Sequence, residues 1–451
     1  MDDNRWFSQI FEQFDKQTAI ISNNKFYSYS DLLQAIIVWE QKLNYIKTGQ
    51  VVGLEADFSL EAIAILFTLI YKKATIVSLD IKQNEKNLIK YKIAKIETLI
   101  KVYDINNIDI INFDDNSSSP KPILYEQLLI KNVPGLVLFT SGSSGQPKAA
   151  VHDFSILLNK FKIKRNALKT VNFLLFDHWG GLNTLFHILS NGGTIVTLNE
   201  RTPDYVCEQI EKYKVELLPA SPSFLNLLLL SHAHNRWNLS SLKIISYGTE
   251  PMPESLLRHL NKIFPNVSLR QTYGLIELGV LRSKSEDNNS LWVKIGGDGY
   301  QTRVIDGILQ IKAESAMLGY LNAPSPFTHD NWFITGDSVE VKGDYYKILG
   351  RKSEIINVGG EKVFPQEVEN IILEINNIKS VTVFGQKNPI LGNIVCAKIQ
   401  LIEESDHNLF SAEIKRYCNE KLARYKVPVK FYFSNEDQIN DRFKKNRRDL
   451  N

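Results

Sequence analysis

Cysteine is scarce in this chain of 451 residues: only Cys207, Cys396 and Cys418 are present. They are scattered, so they make neither an even disulfide set nor a metal-ligand spacing, and a reduced, cytoplasmic location is expected. Long apolar runs are missing as well. The most apolar window, residues 62–71, falls far short of the ~20 residues that a membrane helix requires. Charge of one sign is also lacking: 53 Lys and Arg stand against 50 Asp and Glu, a net charge of +3, which leaves no global field to recruit nucleic acid. Residues 1–16 mix acids, asparagine and aromatics without the basic start and apolar centre of a secretory signal.

What is present is length enough for two or three domains and a steady alternation of strand and helix patterns. Ser30 reads as a helix cap, followed by Leu32, Leu33, Ile36 and Ile37 at near-helical spacing. Strands are expected at residues 51–54, 74–79, 98–101, 173–176, 194–198, 215–218 and 242–246. Helices are expected at residues 60–73, 154–168, 182–189 and 223–230. This rhythm predicts parallel sheets covered on both faces. Between residues 291 and 348 the pattern turns to short alternating segments, with Asp306-Gly307 and Gly343-Asp344 as hairpin turns. From Arg351 onward an α+β pattern resumes. The expected fold class is therefore α/β, with domains at 1–350 and 351–451.

One stretch organises the rest. A buried-strand pattern at residues 133–139 runs into Thr140, Ser141, Gly142, Ser143, Ser144, Gly145 and Gln146, then Pro147 and Lys148. Bare N–H groups, hydroxyls and one mobile cation are the parts of a phosphate cradle, although the Walker A spacing is absent.

Further stretches complete a pattern: Gly248-Thr249-Glu250-Pro251; Gln271-Thr272-Tyr273-Gly274-Leu275-Ile276-Glu277; Thr335-Gly336-Asp337 with Gly350-Arg351; and residues 359–369, beginning Gly359-Gly360-Glu361-Lys362. In this order they resemble the AMP-forming acyl- and aryl-CoA synthetases, the superfamily that includes peptide-synthetase adenylation domains and firefly luciferase. The resemblance covers nearly the whole chain. It implies a large N-terminal domain of two parallel-rich α/β subdomains plus a β-rich one, and a small mobile C-terminal domain. It also implies a two-step reaction. A carboxylate attacks the α-phosphate of ATP, releasing pyrophosphate, and the thiol of CoA or of a carrier protein's phosphopantetheine then displaces AMP.

By the same resemblance, the loop from Thr140 to Lys148 holds the outer phosphates, and Thr140 and Glu277 lie near Mg²⁺, a cation that prefers oxygen ligands. The turn at Gly248, Thr249 and Glu250 lies against adenine, and Tyr273, flanked by Thr272 and Gly274, stacks on it. Asp337 accepts the ribose hydroxyls and Arg351 adds a donor. Lys444, aligned through Arg447 and Leu450, bridges the substrate carboxylate and the ribose; Lys445 is the alternative, because Phe443 replaces the family's glycine. The small domain pivots at Ser353, after which Gly359 and Gly360 line the thiol tunnel.

The acid is expected beside Phe176-Asp177-His178-Trp179, with His178 gating it and Trp179, Gly181, Asn183, Ser221, Tyr247 and Leu275 walling the pocket. Only His187 offers a partner for a second carboxylate, so an apolar acyl or aryl acid is expected. Two alternatives stay open: an amino-acid-activating enzyme using Asp177, and a degenerate nucleotide-binding homologue, suggested by Ile276, Ser353 and Phe443.

Overall fold

A computed structural model describes residues 5–104, 107–113, 120–141 and 146–436, with backbone only at Asn84 and Ser141. Two seven-stranded sheets dominate. The first runs Ser268–Gln271, Ile244–Tyr247, Leu217–Ala220, Lys169–Val171, Thr194–Val196, Thr18–Ser22 and Lys25–Ser28. It is parallel throughout except for its last pair. The second runs Gly319–Tyr320, Pro147–Asp153, Gly135–Ser141, Thr75–Asp80, Val51–Ala56, Thr98–Asp104 and Asn107–Asn112; its four middle strands are parallel.

The helix Leu60–Tyr71 is buried on every side, which its near-continuous apolar sequence requires. Together with Trp179–Leu189 it lies in one core shared with Ile20 and Ile195 of the first sheet and Leu54, Ile76 and Leu138 of the second. The two sheets thus sandwich common helices. An antiparallel six-stranded sheet follows, and a separate five-stranded sheet with its own core, from Ile356 to Val427, forms the C-terminal unit. Among the described residues no helix is long and apolar enough to cross a membrane.

Several expected elements shift. Ser28, not Ser30, caps the helix Tyr29–Lys42: its Oγ accepts from Asp31 N–H while its own N–H donates to the Asp31 carboxylate, a reciprocal capping box. Residues 173–176 form no strand; the strand is Lys169–Val171. The apolarity there serves turn packing, with Phe173 4.2 Å from Phe224 and Phe176 5.1 Å from Phe58, centroid to centroid. The helix expected at residues 154–168 ends at Asn159 and tightens into one 3₁₀ turn, Lys160–Lys162. Both hairpin turns form as expected, Asp306-Gly307 joining Tyr300–Ile305 to Ile308–Ala313 and Gly343-Asp344 joining Phe333–Lys342 to Tyr345–Arg351.

Candidate active site

The strands Gly135–Ser141 and Pro147–Asp153, on either side of the glycine- and serine-rich stretch, pair antiparallel. Gly142, Ser143, Ser144 and Gly145 lie outside the described residues. At the base of the loop Thr140 pairs directly with Lys148. The Lys148 ammonium lies 5.6 Å over the ring of Tyr320, which sits on the neighbouring strand opposite Ala150. The Tyr320 hydroxyl donates to Glu277 Oε1 at 2.5 Å. Thr140, Lys148 and Glu277 are thereby gathered at one end of the second sheet. Tyr320, which does the gathering, belongs to none of the sequence motifs and was not anticipated.

A second cluster centres on Asp337. Its Oδ2 accepts from the Tyr273 hydroxyl at 2.5 Å and its Oδ1 pairs with Arg351 Nε at 2.8 Å. Thr335 Oγ1 accepts from Asp337 N–H and donates to Leu309 O, while Arg351 Nη1 donates to Thr335 O. Asp337 faces Arg351 only because of a bulge. Val339 pairs with Ile348 but Ser338 pairs with Gly350, so Leu349 is the extra residue that advances the register by one. Burial pushes the Asp337 carboxyl up, against the opposing pull of Arg351 and the Tyr273 hydrogen bond. Burial, reinforced by the Asp337 charge, holds the Tyr273 phenol well above its ordinary value, so it stays a donor.

Tyr273, Asp337 and Arg351 open on a cleft of about 900 Å³. Thr249, Glu250, Thr272, Tyr273, Gly274, Leu275, Asp337 and Arg351 line one side, and Lys362, Phe364 and Gln366 of the C-terminal unit line the other. Thr249 holds a left-handed backbone, φ +72°, which costs a β-branched residue about 1–3 kcal/mol and marks the turn as shaped for something other than stability. Gly248 packs so close to Thr272 that an added Cβ would lie 2.4 Å from Thr272 Oγ1. The model of the AMP-binding enzyme family matches residues 7–298, and that of its C-terminal domain matches residues 367–444.

The chain belongs to the AMP-binding enzyme family.

Its relatives are named as ligases. It is 28% identical to indoleacetate–CoA ligase of Aromatoleum aromaticum over 67% of this chain and 64% of that one. It is 24% identical to 2-succinylbenzoate–CoA ligase of Bacillus cytotoxicus over 99% of this chain and 97% of that one. The anthranilate CoA ligase AuaEII, solved with anthranoyl-AMP, superposes with a TM-score of 0.81 at 17% identity, covering 97% of this chain and 94% of that one. The fold is that of the adenylate-forming enzymes, and the chain is an enzyme of the acid–thiol ligase class.

In this AMP-binding enzyme, Leu275 is the one expected pocket-wall residue that lines the cleft. The others do not line it. His178 caps the helix Trp179–Leu189, its Nδ1 accepting from Gly180 N–H at 3.1 Å. Ser221 caps Pro222–Leu230, and the Glu250 carboxylate accepts from Ser223 N–H in the same first turn. Tyr247 and Trp179 are buried, and Asn183 Oδ1 is enclosed without a hydrogen-bond partner. Gly181 admits the preceding chain: an added Cβ would lie 2.3 Å from Leu175 O and 2.7 Å from Leu174 O. Gly181→Ala is expected to destabilise the fold by about 1–3 kcal/mol in chemical denaturation, the cost of overpacking against rigid backbone; an unchanged midpoint would refute this close fit.

Gly359 and Gly360, at φ +59° and +93°, form the hairpin turn between Ile356–Val358 and Glu361–Val363, a conformation that favours glycine. They do not line the cleft, whereas Lys362 does. Ser353 lies within the 3₁₀ turn Lys352–Glu354. Lys444 and Lys445 lie outside the described residues. No group of three or more His, Cys, Asp or Glu among the described residues could hold a metal alone. The donors fit a Mg²⁺ that takes one carboxylate, Glu277, one hydroxyl, Thr140, and nucleotide phosphates for the rest.

Burial also pulls two histidines down to about 4, His152 beside this site and His187 on the helix behind it; nearby Lys160 and Arg165 add to the second shift. Between pH 6.5 and about 4 the unfolded chain therefore binds protons that the folded chain refuses, and stability falls as pH drops. Each histidine contributes up to about 3 kcal/mol to that loss. The melting temperature should decline steeply across this window and less steeply for His152→Leu; parallel slopes would count against it.

Proposed function

We propose that this protein adenylates an apolar acyl or aryl carboxylic acid with ATP and passes the acyl group to the thiol of CoA or of a carrier protein's phosphopantetheine. The Asp337–Tyr273–Arg351 cluster, close enough to Glu277 to feel its charge, carries this reading. A carboxylate held by one phenol and one guanidinium, with little exposure, is suited to accept two vicinal hydroxyls. The turn at Gly248 and Thr249 and the ring of Tyr273 would flank the adenine. Ser141 to Gly145 and Lys148 would grip the outer phosphates, with Glu277 and Thr140 holding Mg²⁺, which lowers the charge repulsion facing an incoming carboxylate. Lys444 would steady that carboxylate. His178 and the helix that it caps would border the acid.

The assignment of 1–350 and 351–451 as separate domains belongs to the same reading, as does a cytoplasmic location. Three buried, unpaired cysteines are consistent with a reducing compartment. Acid-dependent exchange of pyrophosphate into ATP, run across apolar aryl and acyl acids and amino acids, tests the proposal. Exchange with an apolar acid supports it. Exchange with amino acids alone would favour the amino-acid-activating alternative, and inertness toward every acid would leave a nucleotide-binding homologue.

A further inference from the structure

Residues 315–322 belong to none of the motifs, yet they hold both the lysine given to the phosphates and the carboxylate given to the metal. Gly319–Tyr320 is the outermost strand of the second sheet and lies against Pro147–Asp153. Two residues on, the Asn322 amide clasps the backbone on both sides of Lys148. Its Oδ1 accepts from Ala149 N–H at 3.0 Å and its Nδ2 donates to Pro147 O at 2.9 Å. Leu318 N–H donates to Val151 O and Leu321 N–H to Ala149 O, which ties the segment further to the strand that carries Lys148.

The same segment holds Glu277. Met317 N–H donates to Glu277 O at 2.8 Å, Ser315 Oγ donates to Leu278 O at 2.7 Å, and the Tyr320 hydroxyl donates to Glu277 Oε1 at 2.5 Å. No described residue hydrogen-bonds Glu277 Oε2. A carboxylate tethered through one oxygen has a fixed orientation and keeps the lone pairs of the other for a cation. The Tyr320 ring also faces Lys148, with the ammonium 5.6 Å from its centroid, so one side chain touches both groups. Lysine and glutamate are rich in rotamers, and ordering them only when a ligand arrives would cost affinity.

We propose that Tyr320 and Asn322 form a brace of positioning residues: Tyr320 orients Glu277 for Mg²⁺, and Asn322 sets Lys148 toward the outer phosphates. This rests on the roles proposed above for Glu277 and Lys148 and adds what orients them.

Calorimetric titration of ATP across a Mg²⁺ series, with EDTA as the metal-free point, tests the brace without turnover. Tyr320→Phe keeps the ring and removes only the hydroxyl. It should raise the Mg²⁺ concentration that half-restores tight ATP binding by about 10- to 100-fold, the usual effect of losing a group that orients a metal ligand. Affinity in EDTA should stay within about twofold of wild type. In a Glu277→Gln background the same change should have no further effect, because a residue acting through another falls silent without it. Asn322→Ala should weaken ATP binding about 3- to 10-fold with or without metal, the scale of one or two hydrogen bonds, and should fall silent in Lys148→Met. Asn322 is exposed and phenylalanine fills the space of the tyrosine, so both variants should melt close to wild type. A Mg²⁺ requirement unmoved by Tyr320→Phe, or moved equally in Glu277→Gln, overturns the inference, as does an ATP affinity unmoved by Asn322→Ala. If the wild type gains nothing from Mg²⁺, or Glu277→Gln leaves that gain unchanged, the metal role beneath the brace fails and the inference with it.

Discussion

Asp337→Asn is expected to weaken ATP binding by about 100-fold, because a neutral amide loses the charge-assisted acceptance of two ribose hydroxyls, contacts worth about 1.5–3 kcal/mol each. The substitution keeps the shape of the side chain. The backbone position is held independently by Thr335, which bridges Leu309 and the residue-337 N–H. The loss should therefore appear in nucleotide affinity rather than in folding. Arg351 would also be released toward the negative charges that already act on it, Glu277 and Glu354. Calorimetric titration of ATP into wild type and variant, with melting curves for both, measures the two effects separately. An ATP Kd within about threefold of wild type would deny this carboxylate its ribose role.

Lys444→Ala is expected to slow the first half-reaction by about 10²–10³-fold, the effect of removing one well-placed donor from a developing anionic transition state. The second half-reaction, fed with preformed acyl-adenylate, should proceed at close to its normal rate, since the thiol attacks the carbonyl of a mixed acyl–phosphate anhydride and expels AMP, with no free carboxylate left to be held against phosphorus. Lys445→Ala serves as the contrast and should leave both steps nearly unchanged. Single-turnover release of pyrophosphate resolves the first step. The assignment passes to Lys445 if the two variants exchange behaviours, and the tail loses its role if the double variant forms acyl-adenylate at full rate.

How much of this was legible in the sequence depends on how local each feature is. Thr140 and Lys148 could be found because one contiguous motif contains both, and the hairpin brings its two ends together. Asp337 and Arg351 were readable through the resemblance, in Thr335-Gly336-Asp337 and Gly350-Arg351. The bulge that sets them opposite each other was not, because Leu349 carries no compositional sign of being the unpaired residue. Tyr320 was missed for a related reason. It reaches Glu277 from a distant strand, and a lone tyrosine shows no periodicity. The apolar residues 173–176 misled because burial alone gives hydrophobicity, whether the backbone is extended or turned. For His178, Ser221 and Glu250, side-chain identity suggested ligand contact where the geometry also shows helix capping.

The strand Tyr345–Arg351 ends on the guanidinium that grips Asp337, and the chain passes from there directly into the C-terminal unit. On the proposed ribose role of Asp337, occupancy of that subsite and the attitude of the C-terminal unit would be two readings of one equilibrium. A sugar competing for the carboxylate would loosen Arg351, and by reciprocity a clamp on the following turn would alter affinity for the sugar by the same factor.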